Sequence, residues 1–217
     1  IKKGTTPLEV STFETIAAET GAKILDTRAA DDFEKAFIPN SINIGIDGSF
    51  ANWVGVIFQD VKQPLLIVAD EGREEEIATR LARIGFDNTK GFLKGGIEAW
   101  QSAGKTFNKI ESVSPETLAN IANANILDVR KNSEHLSEHV IGSISAPLDY
   151  YNDQLAKIDT NKTYYVHCAG GYRSMIFVSL LKGLGYDNLI NVKGGFSEIK
   201  SLGKFQVSEY ICPTTML

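Results

Sequence analysis

Short apolar runs alternate along most of the chain with stretches of helical periodicity, the pattern of a doubly wound α/β sheet. Ile24 to Asp26 and Ile126 to Asp128 are brief apolar runs ending in an acid, and Leu65 to Ala69 and Tyr164 to His167 are expected as central strands. Ser11-Thr12-Phe13-Glu14 reads as a capping box opening a helix that stops at Gly21. Ser114-Pro115 places a cap and a first-turn proline before its counterpart. Crossover helices then cover both faces of each parallel sheet, and the ligand crevice lies at the carboxyl ends of the strands.

The pattern occurs twice. Ile24-Leu25-Asp26-Thr27-Arg28 returns as Ile126-Leu127-Asp128-Val129-Arg130, and Ser41-Ile42-Asn43-Ile44 returns as Ser143-Ile144-Ser145-Ala146, both at an offset of 102. Gly85-Phe86-Asp87-Asn88 matches Gly185-Tyr186-Asp187-Asn188, and Lys94-Gly95-Gly96 matches Lys193-Gly194-Gly195. Four blocks in one order mean a duplicated domain, and a unit of about 100 residues is too long for a solenoid repeat. The expected division is 1–105 and 106–217, with a linker near Ser102 to Glu111.

The segment with most chemistry is His167-Cys168-Ala169-Gly170-Gly171-Tyr172-Arg173-Ser174, between the run Tyr164-Tyr165-Val166 and a helix-like stretch, Met175 to Lys182. A loop from strand to helix turns its N–H groups inward at a helix N-terminus, where anions bind. A thiol there ionises more readily than free cysteine at about 8.5, falling to somewhere around 3.5 to 7.5 beside such dipoles and Arg. Cys168 is therefore a candidate nucleophile, and Arg173 a cationic fork for a sulfur-oxygen or phosphorus-oxygen anion. Gly170 and Gly171 let the loop curl tightly and leave its mouth uncrowded, while Ser174 donates to the thiolate or caps the helix.

Composition narrows the partners. At 217 residues and a formal charge of −5, with no Lys/Arg stripe interleaved with aromatics, the chain does not read as a nucleic-acid binder. No run of about 18 apolar residues exists, so no membrane span is expected. Two cysteines, Cys168 and Cys212, exclude a disulfide framework, and a cytoplasmic location is expected. The opening Ile1-Lys2-Lys3-Gly4, with neither initiator Met nor apolar signal, reads as an internal fragment or processed product. His135 and His139 stand i,i+4 between Glu134 and Glu138, a spacing read as structural rather than as zinc ligation, and no metal or cofactor is called for. Trp53 and Trp100 are expected in the core, and Cys212, beside Pro213, as an incidental thiol.

The copies differ where chemistry would occur. Aligning Val68 with Val166 sets Asp70 opposite Cys168, and the first loop is two residues shorter before Arg73 meets Arg173. Residues 1 to 108 hold 12 Lys/Arg and 16 Asp/Glu, a net of −4, and residues 70 to 76 alone hold five acids and one Arg, also −4. An anionic donor would be repelled there. The first copy is read as noncatalytic, with Glu74, Glu75 and Glu76 serving either a docking role or only the dipole of the helix they open.

Both halves resemble rhodanese domains, in the Leu-Asp-x-Arg strand end, the Ser-Ile segment, the strand with its active-site loop and the Gly-Gly pair before a last helix. The resemblance spans roughly Pro7 to Phe205 and implies two tandem α/β domains, each a parallel sheet flanked by helices. Cys168 falls at the family's catalytic cysteine, which carries sulfur as a persulfide, and His139 at the histidine of a motif usually written Gly-His-Ile-Pro-Gly. The implied activity is transfer of sulfane sulfur from thiosulfate or a low-molecular-weight persulfide to a thiol or cyanide, with the amides of Ala169, Gly170, Gly171, Tyr172 and Ser174 around the sulfur and Arg173 steering the donor. Ala51-Asn52-Trp53-Val54-Gly55 and Gly72-Arg73-Glu74-Glu75-Glu76 resemble the noncatalytic domain that follows a metallo-β-lactamase-fold domain in bacterial persulfide-oxidising fusions, which implies such a domain as an N-terminal partner. Two alternatives stand beside this. One is a Cys-dependent phosphatase or arsenate reductase, whose loop is one residue longer than the four, Ala169 to Tyr172, between Cys168 and Arg173. The other is a tandem module that only binds partners.

Overall fold

The computed structural model describes residues Gly4 to Cys212. Its chain divides into two units, with the division between Lys109 and Ile110. The stretch after the expected boundary at 105 stays with the first unit because it is bonded there. Asn108 and Phe37 exchange backbone bonds of 2.9 and 3.0 Å, and the Trp100 indole N–H donates to the Thr106 carbonyl at 2.8 Å.

In chain order the first unit holds β1 (Pro7–Leu8), α1 (Val10–Thr20), β2 (Lys23–Asp26), α2 (Ala30–Phe33), β3 (Ile42–Asn43), α3 (Phe50–Phe58), β4 (Leu65–Val68), α4 (Glu74–Arg83), β5 (Thr89–Leu93) and α5 (Gly96–Ser102). The second holds β6 (Ser112–Val113), α6 (Pro115–Ala119), β7 (Asn125–Asp128), α7 (Asn132–Ser137), β8 (Ile144–Ser145), α8 (Tyr151–Gln154), β9 (Tyr164–His167), α9 (Tyr172–Gly183), β10 (Leu189–Val192) and α10 (Gly195–Leu202). The sheets run β1-β5-β4-β2-β3 and β6-β10-β9-β7-β8. That is one topology used twice, parallel throughout and flanked by helices, so the fold is α/β with two tandem domains of the same kind.

Ser114 caps α6 as expected, its hydroxyl accepting from Thr117 N–H at 3.1 Å with Pro115 behind it. The capping box placed at Ser11 is corrected. α1 begins two residues earlier than that box would open it, at Val10, with Glu9 as its cap residue and no side-chain cap bond; Phe13 N–H donates to the Glu9 carbonyl. Gly21 ends that helix at φ 63°, where a Cβ would be strained. In the first unit Phe13, Leu66, Val68, Ile97 and Trp100 share one core; in the second Leu118, Ile126, Val192, Phe196 and Ile199 do. Trp53, 4% exposed, is also buried, as expected.

Each Leu-Asp-x-Arg strand end folds into the same device. Arg28 binds Asp26 through Nε and one terminal nitrogen, at 3.0 and 2.7 Å, and extends that nitrogen to the Ala36 carbonyl at 2.8 Å. Arg130 binds Asp128 at 2.9 and 2.6 Å and reaches the Glu138 carbonyl at 2.8 Å. Both carboxylates are fully buried, and removing one member of such a pair costs about 3–5 kcal/mol because the other is left charged and alone. These residues therefore hold the crossover loops.

Asp128 has an added partner, His135 Nδ1 at 3.0 Å. Burial pushes its carboxyl up, but the bonds from His135 and Arg130 outweigh burial and hold it below the usual carboxylate range. A carboxyl depressed in the folded state contributes stability that is present above its unfolded pKa of 3.8 and is lost as pH falls through the lower folded value. Protection against exchange of the Val129 and Ala146 amides, which donate to the His167 and Asp128 carbonyls, measured against the intrinsic rate at each pH, should fall below pH of about 4. In Asp128→Asn the same amides should be less protected at neutral pH and respond more weakly to acid. An equal acid response in both proteins would remove Asp128 from this role.

Candidate active site

Cys168 directly follows β9, the central strand of the second sheet, and is 1% exposed. The turn runs only from Cys168 to Gly171, because α9 starts at Tyr172. Tyr172, Arg173 and Ser174, expected in the loop, form instead the first turn of this 12-residue helix. Gly171 makes the short turn possible: at φ 103° it occupies the left-handed region that a side chain disfavours. Its N–H donates to Cys168 Sγ at 3.1 Å, so the helix N-terminus faces the sulfur, where it favours an anion. Gly170 is exposed, and a Cβ there would meet nothing within 4 Å.

The turn is fastened from below by α10. Phe196 N–H donates to the Cys168 carbonyl at 2.7 Å and Ser197 N–H to the Ala169 carbonyl at 3.1 Å. These bonds require close approach, and a Cβ on Gly195 would lie 2.6 Å from the Cys168 carbonyl oxygen. The Phe196 ring lies 4.0 Å from the Arg130 guanidinium and stacks on His167, centroids 6.0 Å apart. His167 Nδ1 donates to the Cys168 carbonyl at 3.1 Å, while its buried Nε2 has no partner. Burial, outweighing the nearby Asp128 carboxylate, pushes the imidazole pKa down and keeps it neutral. The Cys168 carbonyl is thus held by two donors, and the Ala169 carbonyl by a third.

Arg173 departs from expectation. Its two terminal nitrogens lie 2.5 and 2.9 Å from the two oxygens of Glu134, so the fork assigned to a donor anion is filled by a carboxylate of α7. Glu134 also accepts from the Lys131 N–H at 3.1 Å, which fixes it at the start of that helix. Burial raises the Glu134 carboxyl, but the Arg173 bonds prevail and it lies below its ordinary value. Ser174 likewise takes neither expected role: its hydroxyl donates to the Gly171 carbonyl at 3.1 Å.

In the first unit Asp70 stands exposed at the end of β4. Arg73 precedes α4 and binds Asp47 at 2.8 Å and Glu76 at 2.9 Å. Glu74, Glu75 and Glu76 form the first turn of α4. A cleft of about 1180 Å³ survives here, lined by Arg28, Asp70, Glu71, Lys94 and Glu98 among others. In the second unit the His135 and His139 imidazoles stack at 4.1 Å, and His139 Nδ1 donates to the His135 carbonyl at 2.8 Å. Among the described residues no three His, Cys, Asp or Glu side chains group as metal ligands. Cys212 is exposed, and Pro213 lies outside the described residues.

Sequence reasoning missed Glu134 and Phe196. A signal existed for each: Asp32 repeats the acid of Glu134 at the offset of 102, and Phe196 stands after the Gly-Gly pair where the first copy has Ile97.

A central parallel strand that delivers a cysteine to a helix N-terminus, in a domain duplicated without that cysteine, defines a tandem α/β protein of the cysteine-loop class. The family model for the rhodanese-like domain matches residues 10–103 and 114–202, and the chain belongs to that family, carrying the domain twice. It is 30% identical over 83 residues to the uncharacterized protein YqhL of Bacillus subtilis, covering 38% of this chain and 66% of that protein. It is 31% identical over 74 residues to the putative sulfur carrier protein YrkF of the same organism, covering 34% and 40%. The chain thus spans less than two thirds of either relative. Among solved structures, a rhodanese-related protein from Thermoplasma volcanium is 29% identical, with 45% of this chain and 97% of that chain covered and a TM-score of 0.42. A thiosulfate sulfurtransferase from Pseudomonas aeruginosa is 22% identical, with 95% and 44% covered and a TM-score of 0.40. Among the described residues no helix is long and apolar enough to cross a membrane.

Proposed function

We propose that the second unit is a sulfurtransferase in which Cys168 carries sulfane sulfur as a persulfide. The observation that carries this reading is the sulfur's position, buried at the end of β9 with the Gly171 N–H on it at 3.1 Å. A sulfur atom added to Cys168 would extend toward the N-terminus of α9, where a terminal S⁻ is stabilised without a metal. In the first half-reaction the Cys168 thiolate attacks the outer sulfur of thiosulfate or of a low-molecular-weight persulfide. One S–S bond forms, another breaks, and sulfite or a thiolate leaves with the electron pair. In the second, an acceptor thiolate or cyanide attacks the outer sulfur of the Cys168 persulfide and regenerates the thiolate. Both steps are displacements at sulfur with no net electron supply.

The first unit, with Asp70 at the nucleophile position, is a structural or docking module in this reading. The tandem then forms the C-terminal part of a larger cytoplasmic persulfide-metabolising enzyme, and the N-terminal partner is a metallo-β-lactamase-fold domain. Phosphoryl transfer is the poorer reading, because an Arg173 fork occupied by Glu134 is not free to hold phosphate oxygens. The test is mass spectrometry after exposure to thiosulfate or glutathione persulfide. The Cys168 peptide should gain the mass of one sulfur atom and lose it on addition of cyanide. An unloaded Cys168 with both donors would leave only the binding-module reading.

A further inference from the structure

Arg173 is the one charged residue from Cys168 to Ser174, and it stands in the first turn of the helix whose N-terminus faces the sulfur. In the structure it cannot act as a free cation. Glu134 engages both its terminal nitrogens, is itself anchored by the Lys131 N–H, and leaves the Arg173 side chain only 16% exposed. The pairing is absent from the first copy. There the acid at the equivalent position, Asp32, binds Lys35 at 2.8 Å, while Arg73 takes Asp47 and Glu76. The shared framework of the two domains therefore does not require an acid from α7 on this arginine. The pairing occurs in the copy that holds the cysteine.

We propose that Glu134 is a specificity-determining residue, which holds the Arg173 fork and cancels the cation of the nucleophile turn so that Cys168 takes sulfur from donors of low charge and works poorly with the thiosulfate dianion. This rests on the sulfur-transfer reading above. With thiosulfate, the displacement at Cys168 releases sulfite dianion, whose oxygens must compete with Glu134 for the fork or leave without it. With an alkyl persulfide, RS–SH, the thiolate takes the outer sulfur, RS⁻ departs with the electron pair, and the proton passes to one of the two sulfur products. That leaving group carries one charge, on sulfur, and no anionic oxygens, so it needs no fork. The helix N-terminus supplies the remaining stabilisation for either donor.

Glu134→Gln keeps the side-chain shape and an acceptor for Lys131 N–H while uncovering the Arg173 charge. The ratio of kcat/KM for thiosulfate to that for 2-hydroxyethyl persulfide should rise on the order of tenfold, mainly through a lower KM for thiosulfate, the size expected of one new charge-assisted hydrogen bond. In an Arg173→Gln background the same substitution should give no rise. A second readout uses no sulfur chemistry: the alkylation rates of Cys168 by iodoacetate, an anion, and by iodoacetamide, which is neutral, followed on the Cys168 peptide. Their ratio should rise in Glu134→Gln, while at Cys212 it stays as in the parent. A third needs no variant, since a cancelled charge predicts that thiosulfate turnover by the unaltered protein changes little between low and high salt. Unchanged donor and alkylation ratios in a folded Glu134→Gln protein overturn the proposal, as does a steep fall of wild-type thiosulfate turnover with salt. If no donor loads Cys168, the sulfur-transfer reading fails, and the alkylation ratio still decides whether Glu134 masks Arg173.

Discussion

Replacing Cys168 with Ser is expected to abolish sulfur transfer while leaving both domains folded. The hydroxyl is a far weaker nucleophile toward sulfur and cannot store a persulfide, so the loss should be on the order of 10³-fold or more, the range seen when a covalent nucleophile is removed. Little of the fold depends on the thiol. Its bond from Gly171 N–H can pass to a serine oxygen, and the carbonyl of residue 168, not its side chain, receives the bonds from Phe196 and His167. The stability change should therefore stay within about 1 kcal/mol, typical of a substitution that leaves the surrounding bonds intact. The check is turnover with both donors beside a denaturant titration. Activity near wild type would move the chemistry elsewhere.

Gly195→Ala should damage the same site from beneath. A Cβ there would stand 2.6 Å from the Cys168 carbonyl oxygen and 2.7 Å from the Ala169 carbonyl, at a φ of +58° that already disfavours a side chain. Both obstacles are backbone atoms, so either α10 or the nucleophile turn must shift. Together the strain and the clash should cost about 3 kcal/mol, and transfer should fall with the turn's displacement. Gly96→Ala in the first copy is the control. Its new Cβ would meet the movable Glu98 carboxylate at 3.2 Å and the Ala69 carbonyl only at 3.7 Å, leaving mainly the φ strain, about 1 kcal/mol. Trp53 and Trp100, the only tryptophans, sit in the first unit, so their fluorescence follows Gly96→Ala and far-UV circular dichroism follows both. Equal destabilisation by the two substitutions would show that the close approach to Cys168 is unimportant.

Much of the architecture is legible from local pattern. The repeats at an offset of 102, the apolar runs ending at Asp26 and Asp128, and the Gly-Gly pairs all mark places where backbone geometry limits the residue types, and such limits survive in a single sequence. The cysteine before a glycine turn and a helix was legible for the same reason. Helix starts were less so. Ser11 looks like a cap, but the α1 backbone closes its first bond on Glu9, and no side chain decides the point.

The cysteine at the strand end, the helix after it and the duplicated frame with one cysteine-free copy are thus properties of the sequence by itself, because each depends on residues adjacent in the chain or on spacing between copies. Tertiary structure alone decided what Arg173 does. Glu134 is 39 residues away, and only the placement of α7 beside α9 brings the carboxylate to the guanidinium. It also decided what supports Cys168, since the Phe196 N–H and the Arg130–Phe196–His167 stack join three segments that only the parallel sheet sets side by side. Charge in a sequence gives the groups that can pair, but which pairs form depends on distances of a few ångströms, and the packed sheet and its helices set those.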